Sequence, residues 1–463
     1  MAKKNSLIIS VNPNPICIAA EVDIARNARV TEIISGVNLN AIVNNIHICE
    51  TARDRLYEFI DNKYTRFLAP ELDGVNFTNK IDLNHFILPD IPEKIDQLRR
   101  YKIDGVSIGL AVLSSAASFA KCISEDARDY GSILSRCWTV AHKSYYAGVA
   151  LSALKFDIVY IVNGRHAISR PIAEVMQKNC NVRYYEFNSN ESGYLFFDEK
   201  IHSLKTQMSL IDSHNFDYRL GVEFFIKNIS RAADAYSFRF SGQQEVGLLP
   251  ELECDKDIMV FFTSSPDEYF SVSDMECLSE DFENQFHVAF FAAKECNKYN
   301  KQLIIRLHPH LQEKHISWMR QWNFELLESY GAKIIFPGEK YDSYALLKIA
   351  TGVITCGSTI GIEAAYQGVP TGDTSQFINS AIGCAVDVSS KSSLAKFVSN
   401  PVCLANGKNA AIKYGSYVST TTGKGIPGLV KYDEIYRYEG KILSPSHYLL
   451  SKVRGLFDWV KRT

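Results

Sequence analysis

The chain has 463 residues, 46% of them hydrophobic and 22% charged, and its 50 Lys and Arg against 52 Asp and Glu give a formal net charge of -2. This length predicts roughly two or three domains, each able to bury a core without disulfides or structural metals. The charge balance argues against a dedicated duplex-DNA-binding protein, because such proteins usually carry a basic surplus. We therefore expect a globular protein with no nucleic acid partner.

The cysteines and the first residues indicate the compartment. The 11 cysteines are scattered and most lie in apolar runs, which is typical of free thiols in a reducing environment. The first apolar run is interrupted by Asn12 and Pro13, so it predicts a β-strand rather than a signal peptide. No apolar stretch approaches the roughly 18 residues of a membrane-spanning helix. We expect a soluble, cytoplasmic protein.

Short runs rich in β-branched residues alternate with amphipathic segments along most of the chain. Several runs are continuously apolar, as is typical of parallel strands covered on both faces. The predicted strands are residues 7–11, 158–162, 182–186, 258–263, 303–307, 333–336 and 352–356. Helices are predicted between them, including 171–178 after Ser169 and 342–350 with Asp342 as N-cap. The pattern predicts an α/β fold with doubly wound parallel sheets.

Regular periodicity is lost between about Ser230 and Asp257, and a new apolar strand begins directly afterwards. We therefore predict two Rossmann-like domains. The N-terminal domain is predicted to span residues 1–245 and the C-terminal domain residues 256–430, with a helical tail over 431–463.

The tail prediction rests on the spacing of its apolar residues. Within residues 447–463, Leu449, Val453, Leu456 and Val460 recur every three or four positions, and basic residues take much of the remaining circumference. Such an amphipathic helix can pack on the protein or lie on an anionic membrane. Both interpretations stay open, the second as a peripheral contact at the inner membrane.

Three strand ends in the second half carry polar residues suited to a ligand. The first is Thr263-Ser264-Ser265, which ends an apolar strand just before Pro266. Because the carboxyl ends of parallel strands face the ligand crevice, these hydroxyl groups are candidate contacts.

The second strand end is Arg306-Leu307-His308-Pro309. The proline disfavours the helical region for His308 and keeps it extended at the end of the strand. An imidazole held there can donate to a phosphate or ribose oxygen, and Arg306 would add positive charge. His310 and His315 are expected to be surface residues.

The third strand end is Cys356-Gly357-Ser358-Thr359, followed by a helix that is expected to end near Gly368. Gly357 permits a tight turn and Ser358 is the expected N-cap. The helix amides, the helix dipole and two hydroxyl groups predict a phosphate site. Glu363 lies on the same helical face as Thr359, where it could accept from ribose hydroxyls.

These three strand ends together resemble the donor domain of GT-B glycosyltransferases, in particular bacterial capsule and lipopolysaccharide enzymes that use CMP-activated sugars, such as Kdo transferases and polysialyltransferases. The resemblance covers about residues 256–375 and rests on His308-Pro309 and on Gly357-Ser358-Thr359, with Glu363 at a compatible offset. It implies two Rossmann-like domains in GT-B architecture, with the nucleotide bound by the C-terminal one.

The resemblance further implies transfer of Kdo or a related nonulosonic acid from a CMP-activated donor to a glycan or lipid-linked glycan acceptor. CDP-alditol phosphotransferases share similar motifs, and a UDP-sugar 2-epimerase or a non-catalytic glycan-assembly subunit also remains open. No Asp-rich metal motif stands out, so we expect chemistry without a cofactor or a bound divalent ion.

The first half would then hold the acceptor and supply the catalytic carboxylate. Asn163 and Arg165 follow the strand 158–162, and Arg170 starts the next helix, where an Arg can pair with a sugar carboxylate or a phosphate.

The preferred carboxylate is Asp104, because Asp104-Gly105 resembles the acidic element of retaining Kdo transferases, although an ordinary Asp-Gly turn explains it equally well. Glu186, which ends the strand 182–186, and Asp198 are rivals. The histidines His142, His166 and His202 are candidate assistants.

Overall fold

The computed structural model describes residues 6–9, 20–21, 23–24, 32–34, 76–77, 88–120, 124, 126–187, 194–197, 204–231, 243–253, 255–265, 281–313, 316–375, 378–421, 429–432, 435–438 and 441–442. The chain divides into two compact units. Unit 1 comprises Met1–Ala116, Asp126–Ile201 and Thr422–Thr463, and unit 2 comprises Ala117–Glu125 and His202–Thr421.

Unit 1 contains a six-stranded sheet of order β3-β2-β1-β4-β5-β6. Its strands are β1 Ser6–Ile9, β2 Glu32–Ile34, β3 Asn76–Phe77, β4 Ile158–Val162, β5 Asn181–Phe187 and β6 Tyr194–Phe197. All neighbours pair in parallel except β5 and β6, which are antiparallel. The fully described α-helices of this part of the chain are α1 Ile95–Arg99, α2 Ile108–Ala120, α3 Ser132–Ser152 and α4 Arg170–Met176.

Unit 2 contains a six-stranded, fully parallel sheet of order β12-β11-β10-β7-β8-β9. Its strands are β7 Asp257–Phe262, β8 Lys301–Arg306, β9 Lys333–Ile335, β10 Ala350–Thr355, β11 Thr371–Asp373 and β12 Val386–Asp387. Its helices are α5 Leu204–Ser213, α6 Tyr218–Ser230, α7 Gln285–Lys298, α8 Phe324–Ser329, α9 Ser343–Ile349, α10 Ile360–Gln367, α11 Ile378–Ala381, α12 Lys391–Ser399 and α13 Gly407–Thr421.

The two sheets share one topology. In each, the first three strands lie in reverse order on one side and the last three in order on the other, with the reversal between β1 and β4 and between β7 and β10. This is the doubly wound Rossmann order, so the predicted α/β class is confirmed for both halves. In such sheets ligands bind at the carboxyl ends of the strands beside the reversal.

Burial on both faces explains why β7 reads as a continuous apolar run. Met259 and Phe261 pack into a core with Val288 of α7, whereas Val260 packs on the opposite face with Leu346 of α9. A strand covered by helices on both sides needs apolar residues at every position. The predicted strands of unit 2 are confirmed to within one or two residues at their ends.

The units differ from the predicted domain boundaries at residues 245 and 256. The long segment of unit 2 starts at His202 rather than near residue 256, because α5 and α6 pack on α13. A Cβ on Gly221 of α6 would lie 2.2 Å from the carbonyl oxygen of Ile412, so the two helices approach closely there. The backbone N–H of Asp217 also donates to the hydroxyl of Ser416 at 2.9 Å.

The C-terminal segment also differs from the prediction. The strands β13 Leu429–Tyr432, β14 Ile435–Tyr438 and β15 Lys441–Ile442 form an antiparallel sheet. The aromatic and β-branched residues of these strands favour extended structure over the helix expected from residue 431. The predicted amphipathic helix over 447–463 lies outside the described residues. Among the helices that are described, none is both long and apolar enough to cross a bilayer.

Candidate functional site

A cleft opens in unit 2 beside the reversal in strand order. It encloses about 580 Å³ of space, including its open mouth, and is lined from the carboxyl ends of β7, β8 and β10 and from the start of α9. Among the residues singled out from the sequence, it brings together Arg306, His308, Pro309, Ser358, Thr359 and Glu363, with Thr263 beside them. The cleft therefore unites the three predicted strand ends.

Hydrogen bonds to neighbouring residues hold His308 at the cleft. Its backbone N–H donates to the hydroxyl oxygen of Thr263 at 2.9 Å. The backbone N–H of His310 donates to the His308 Nδ1 at 3.2 Å. Because Nδ1 accepts, the neutral ring carries its proton on Nε2. His308 is half-buried and lines the cleft, as the Thr263 side chain also does.

Arg306 forms part of the cleft wall with little of its surface exposed. Its Nη1 and Nη2 donate to the carbonyl oxygens of Phe336 at 3.1 Å and Glu339 at 3.0 Å. Burial lowers the pKa of Arg306 to about 10. The guanidinium group thus holds the segment after β9 while it adds positive charge behind the cleft.

The turn after β10 exposes main-chain amides. Gly357 adopts a φ of 77°, a left-handed conformation that favours glycine. Helix α10 begins at Ile360 with Thr359 rather than the predicted Ser358 at the N-cap, and no side chain caps it. Within the described residues, the amides of Ser358, Thr359 and Ile360 donate to no acceptor. These donors and the helix dipole suit an anion.

Two buried residues that the sequence analysis missed hold this turn from behind. Asp373 Oδ1 accepts from the Gly357 N–H at 2.9 Å, and Asn379 Nδ2 donates to the Ser358 carbonyl at 2.8 Å. Burial raises the pKa of Asp373 to about 6. The signal was available: Thr371-Gly372-Asp373-Thr374-Ser375 is a further strand end rich in hydroxyl groups.

Glu363 lies in the first turn of α10 and is only 6% exposed. Burial raises the pKa of its carboxyl group to about 7, and a hydrogen bond from Tyr344 opposes that shift. Its Oε2 has no hydrogen-bond partner within the described part of the chain. The cleft therefore contains a carboxyl group with an unsatisfied oxygen beside the amide donors.

Ser264 and Ser265 are buried rather than placed on the cleft surface, contrary to their predicted role as ligand contacts. The Ser264 hydroxyl donates to the Cys356 carbonyl at 2.5 Å, which ties the end of β7 to the end of β10. Its N–H and carbonyl both bond the Gln285 side chain. Ser265 is fully buried.

In unit 1, Asn163 and Glu186 meet at the carboxyl ends of β4 and β5. Asn163 has a φ of 58°, and its Nδ2 donates to Glu186 Oε2 at 2.5 Å. Its Oδ1 accepts from the backbone N–H of Arg165 at 3.2 Å, and the Arg165 Nε approaches His166 Nε2 at 3.3 Å. These polar residues form a connected group where a parallel sheet binds ligands.

Arg170, a predicted ligand contact, is almost fully buried. It is 1% exposed, and its Nε contacts Glu174 Oε1 at 2.9 Å. Glu174 Oε2 also accepts the Ser107 N–H at 2.7 Å. The sequence placed Arg170 at the start of a helix, and burial of that helix in the core explains the difference.

Asp104 lies in a tight turn on the surface. Asp104 and Gly105 have φ values of 47° and 80°, and the flanking residues Ile103 and Val106 pair as a β-bridge. The Tyr145 hydroxyl donates to Asp104 Oδ2 at 2.5 Å. The Asp-Gly pair therefore forms a tight turn, as its sequence predicts.

The other candidates divide into a buried histidine and residues that are not described. The His142 ring packs on Trp138 with centroids 4.2 Å apart, and burial lowers its pKa. Asp198, His202 and His315 lie outside the described residues. Within those that are described, no group of His, Cys, Asp and Glu is arranged to hold a metal ion.

No protein-family model and no curated protein sequence matches this chain. Among solved structures, it is similar to KpsC, a beta Kdo 2,7 transferase from Thermosulfurimonas dismutans, at 13% identity and a TM-score of 0.35, over 68% of this chain and 94% of that one. A UDP-GlcNAc 2-epimerase from Methanocaldococcus jannaschii, in complex with UDP-GlcNAc and UDP, matches at 14% identity and a TM-score of 0.30, over 88% and 97%. A glycosyltransferase from Rickettsia africae matches at 11% identity and a TM-score of 0.30, over 91% and 94%. These are distant likenesses.

Proposed function

We propose that this protein is a glycosyltransferase that uses a nucleotide-activated sugar and binds the nucleotide phosphate in the cleft of unit 2. The observation that carries the proposal is that His308 and the turn at 357–360 line one cleft beside the reversal in strand order. An imidazole protonated on Nε2, three main-chain amides and the positive end of α10 all suit phosphate oxygens. The same groups would stabilise the charge that builds on a departing nucleotide.

The donor in this proposal is a CMP-activated sugar, either Kdo or a related nonulosonic acid, and the acceptor is a surface polysaccharide or lipopolysaccharide. His308-Pro309, Gly357-Ser358-Thr359 and Glu363, the residues that carry the resemblance to CMP-sugar transferases, all lie at or beside the cleft. Glu363 would accept from the ribose hydroxyls. Hydrogen-bond donors would stabilise the phosphate, and the proposal includes no metal ion.

Unit 1 would bind the acceptor, and Glu186 is the proposed general base. Asn163 donates to one oxygen of Glu186 and so keeps the carboxylate oriented. As general base, Glu186 would accept the proton of an acceptor hydroxyl bound at the carboxyl ends of β4 and β5. Asp104 is the weaker candidate because its turn already explains its presence.

A nucleotide screen tests the proposal. Purified protein is titrated with CMP, CDP, UMP, UDP, GDP and ADP, and thermal unfolding and calorimetry are recorded. We expect selective stabilisation by CMP, worth about 2.7 kcal/mol at a concentration of 100 times Kd. His308→Ala should remove it, whereas His287→Ala, on α7 and outside the cleft lining, should not.

Two outcomes would change the conclusion. Stabilisation by UDP alone would favour a UDP-sugar enzyme such as a 2-epimerase over the CMP-sugar transferase. Stabilisation by none of the nucleotides would overturn the nucleotide site itself. If CMP binds, release of CMP from a CMP-activated sugar in the presence of a glycan acceptor separates a transferase from a binding subunit.

A further inference from the structure

Gln244 lines the cleft, and hydrogen bonds hold both its side chain and its backbone. Its Oε1 accepts from the backbone N–H of Ser343 at 2.9 Å, and its carbonyl oxygen accepts from Arg231 Nη1 at 3.4 Å. The neighbouring Gly247 N–H donates to Asp342 Oδ2 at 2.7 Å, and Arg231 pairs with the same carboxylate. The loop that carries Gln244 is thus tied to the start of α9.

The bond to Ser343 decides which way the Gln244 amide faces. A backbone N–H can only donate, so the side-chain atom that it contacts is the carbonyl oxygen. The Nε2 of Gln244 therefore points away from the Ser343 N–H. Within the described residues, this NH2 group donates to no acceptor. Gln244 consequently offers a ligand a hydrogen-bond donor, while its acceptor is already used.

Two kinds of donor line the cleft. His308 and the amides at 358–360 suit a phosphate, whereas the neutral, planar amide of Gln244 comes from a different segment of the chain. Side-chain amides are well suited to reading the edge of a base. With the phosphate at the helix start, the Gln244 amide is the donor left to meet the base.

We infer that the Gln244 NH2 group donates to N3 of the pyrimidine and thereby selects cytosine over uracil, an inference that rests on the proposed nucleotide site. N3 is an acceptor in cytosine and carries a hydrogen in uracil, whereas O2 is an acceptor in both. A donor fixed opposite N3 therefore pairs with cytosine and is left unpaired against uracil. Sites built to make a hydrogen bond discriminate strongly against analogues that lack it.

The experiment compares the Kd values of CMP and UMP by calorimetry in four proteins. Gln244→Glu keeps an oxygen for the Ser343 N–H and places an acceptor where the NH2 group was. Gln244→Leu removes both groups. Gln243→Glu makes the same charge change at the adjacent exposed residue and is the matched control. Thermal unfolding of each variant without ligand checks folding, and the Glu variant retains the anchor.

We expect the wild type and Gln243→Glu to prefer CMP by at least about tenfold. Gln244→Glu should abolish or invert the preference, and Gln244→Leu should weaken CMP binding while leaving UMP binding almost unchanged. The ratio of the two Kd values cancels any general repulsion between the new carboxylate and the phosphate.

The failures are distinguishable. If both nucleotides bind and the Kd ratio is the same in all four proteins, the inference about Gln244 is overturned and the nucleotide site stands. If Gln244→Leu weakens both equally, the amide contacts O2 or the ribose, and the assignment to N3 is wrong. If neither nucleotide binds the wild type, the proposed function and the inference fail together.

Discussion

The hydroxyl oxygen of Thr263 accepts the backbone N–H of His308 at 2.9 Å, which joins the end of β7 to the residue that follows β8. The imidazole is therefore positioned by a side chain of the neighbouring strand as well as by Pro309. Thr263 is only 2% exposed, so its hydroxyl is protected from competition with water. This bond makes the geometry of the cleft sensitive to one buried oxygen.

Thr263→Val removes that oxygen and keeps the shape of the side chain. It leaves the His308 N–H without its acceptor, and we expect a loss of about 1–3 kcal/mol in the free energy of unfolding. The Kd for CMP should rise as the imidazole shifts, and Thr263→Ser should restore both quantities. Urea unfolding and calorimetry measure them. A valine variant that binds CMP like the wild type would contradict the positioning role.

Gly357→Ala tests the turn at the start of α10. Gly357 and Gly368 have φ values of 77° and 78°, so alanine at either position should cost about 1 kcal/mol in stability. Gly368 lies at the other end of the same helix and is the matched control. Only the change at Gly357 should weaken CMP binding measured by calorimetry. Equal weakening in both variants would show that general destabilisation is responsible.

Glu363→Gln tests the buried carboxyl group through the pH dependence of stability. The folded-state pKa is about 7 against 4.5 for an ordinary glutamate. Between these values the folded state keeps a proton that the unfolded state releases, so stability contributed by this group is lost as pH rises from about 4.5 to 7. Glutamine removes that loss.

We compare the free energy of unfolding of Glu363→Gln with that of the wild type at each pH. The difference should favour the variant more at pH 8 than at pH 4, by an amount on the order of 3 kcal/mol at most. Urea unfolding at both pH values measures the difference. Glu325→Gln, in the exposed first turn of α8, is the control. If the stability difference between Glu363→Gln and wild type does not change with pH, Glu363 is ionised in the folded protein.

Arg170→Ala tests whether this arginine is structural. The change leaves Glu174 buried without its ion-pair partner, which typically costs about 3–5 kcal/mol. The double variant Arg170→Met/Glu174→Leu should recover much of that loss, because it also removes the unpaired charge. Denaturant unfolding reports stability. Loss of sugar transfer with full stability in Arg170→Ala would restore the original expectation of a ligand contact.

Asp104→Asn and Glu186→Gln separate the two carboxylate candidates. Asn-Gly is as good a tight-turn pair as Asp-Gly, so Asp104→Asn should keep both stability and transfer activity. Glu186→Gln should lower the rate of CMP release in the presence of acceptor by roughly 10²- to 10⁴-fold, while the affinity for CMP is unchanged. The opposite pattern would assign the catalytic carboxylate to Asp104.

The sequence predicted the strand ends because their signal is local. A buried parallel strand needs an apolar residue at every position, so the points where β7, β8 and β10 give way to Thr263, His308 and Gly357 are visible in the residue pattern. The helix cap at Asp342 is equally local, and its side chain accepts from the Tyr344 N–H. Topology then brings these ends together.

Side-chain burial and long-range anchoring are not local, and the sequence analysis missed what depends on them. Arg170 and Ser264 are the kinds of residue expected in a site, yet each is buried against a partner elsewhere in the fold. Gln244 falls in a stretch without periodicity, and its role depends on the distant Ser343. Asp373 lies at a strand end that the sequence does show, but its contact with the backbone N–H of Gly357 is long-range.

The hydrogen bonds of Arg306 to two carbonyl groups have a consequence for how the cleft would respond to its medium. With that guanidinium committed to the Phe336 and Glu339 carbonyls, the described lining attracts an anion through oriented dipoles and a fixed, buried positive charge rather than through mobile cations. Dissolved salt screens separated exposed charges much more than short, partly buried contacts. Occupancy of this cleft should therefore tolerate swings in ionic strength that would empty a lysine-lined pocket.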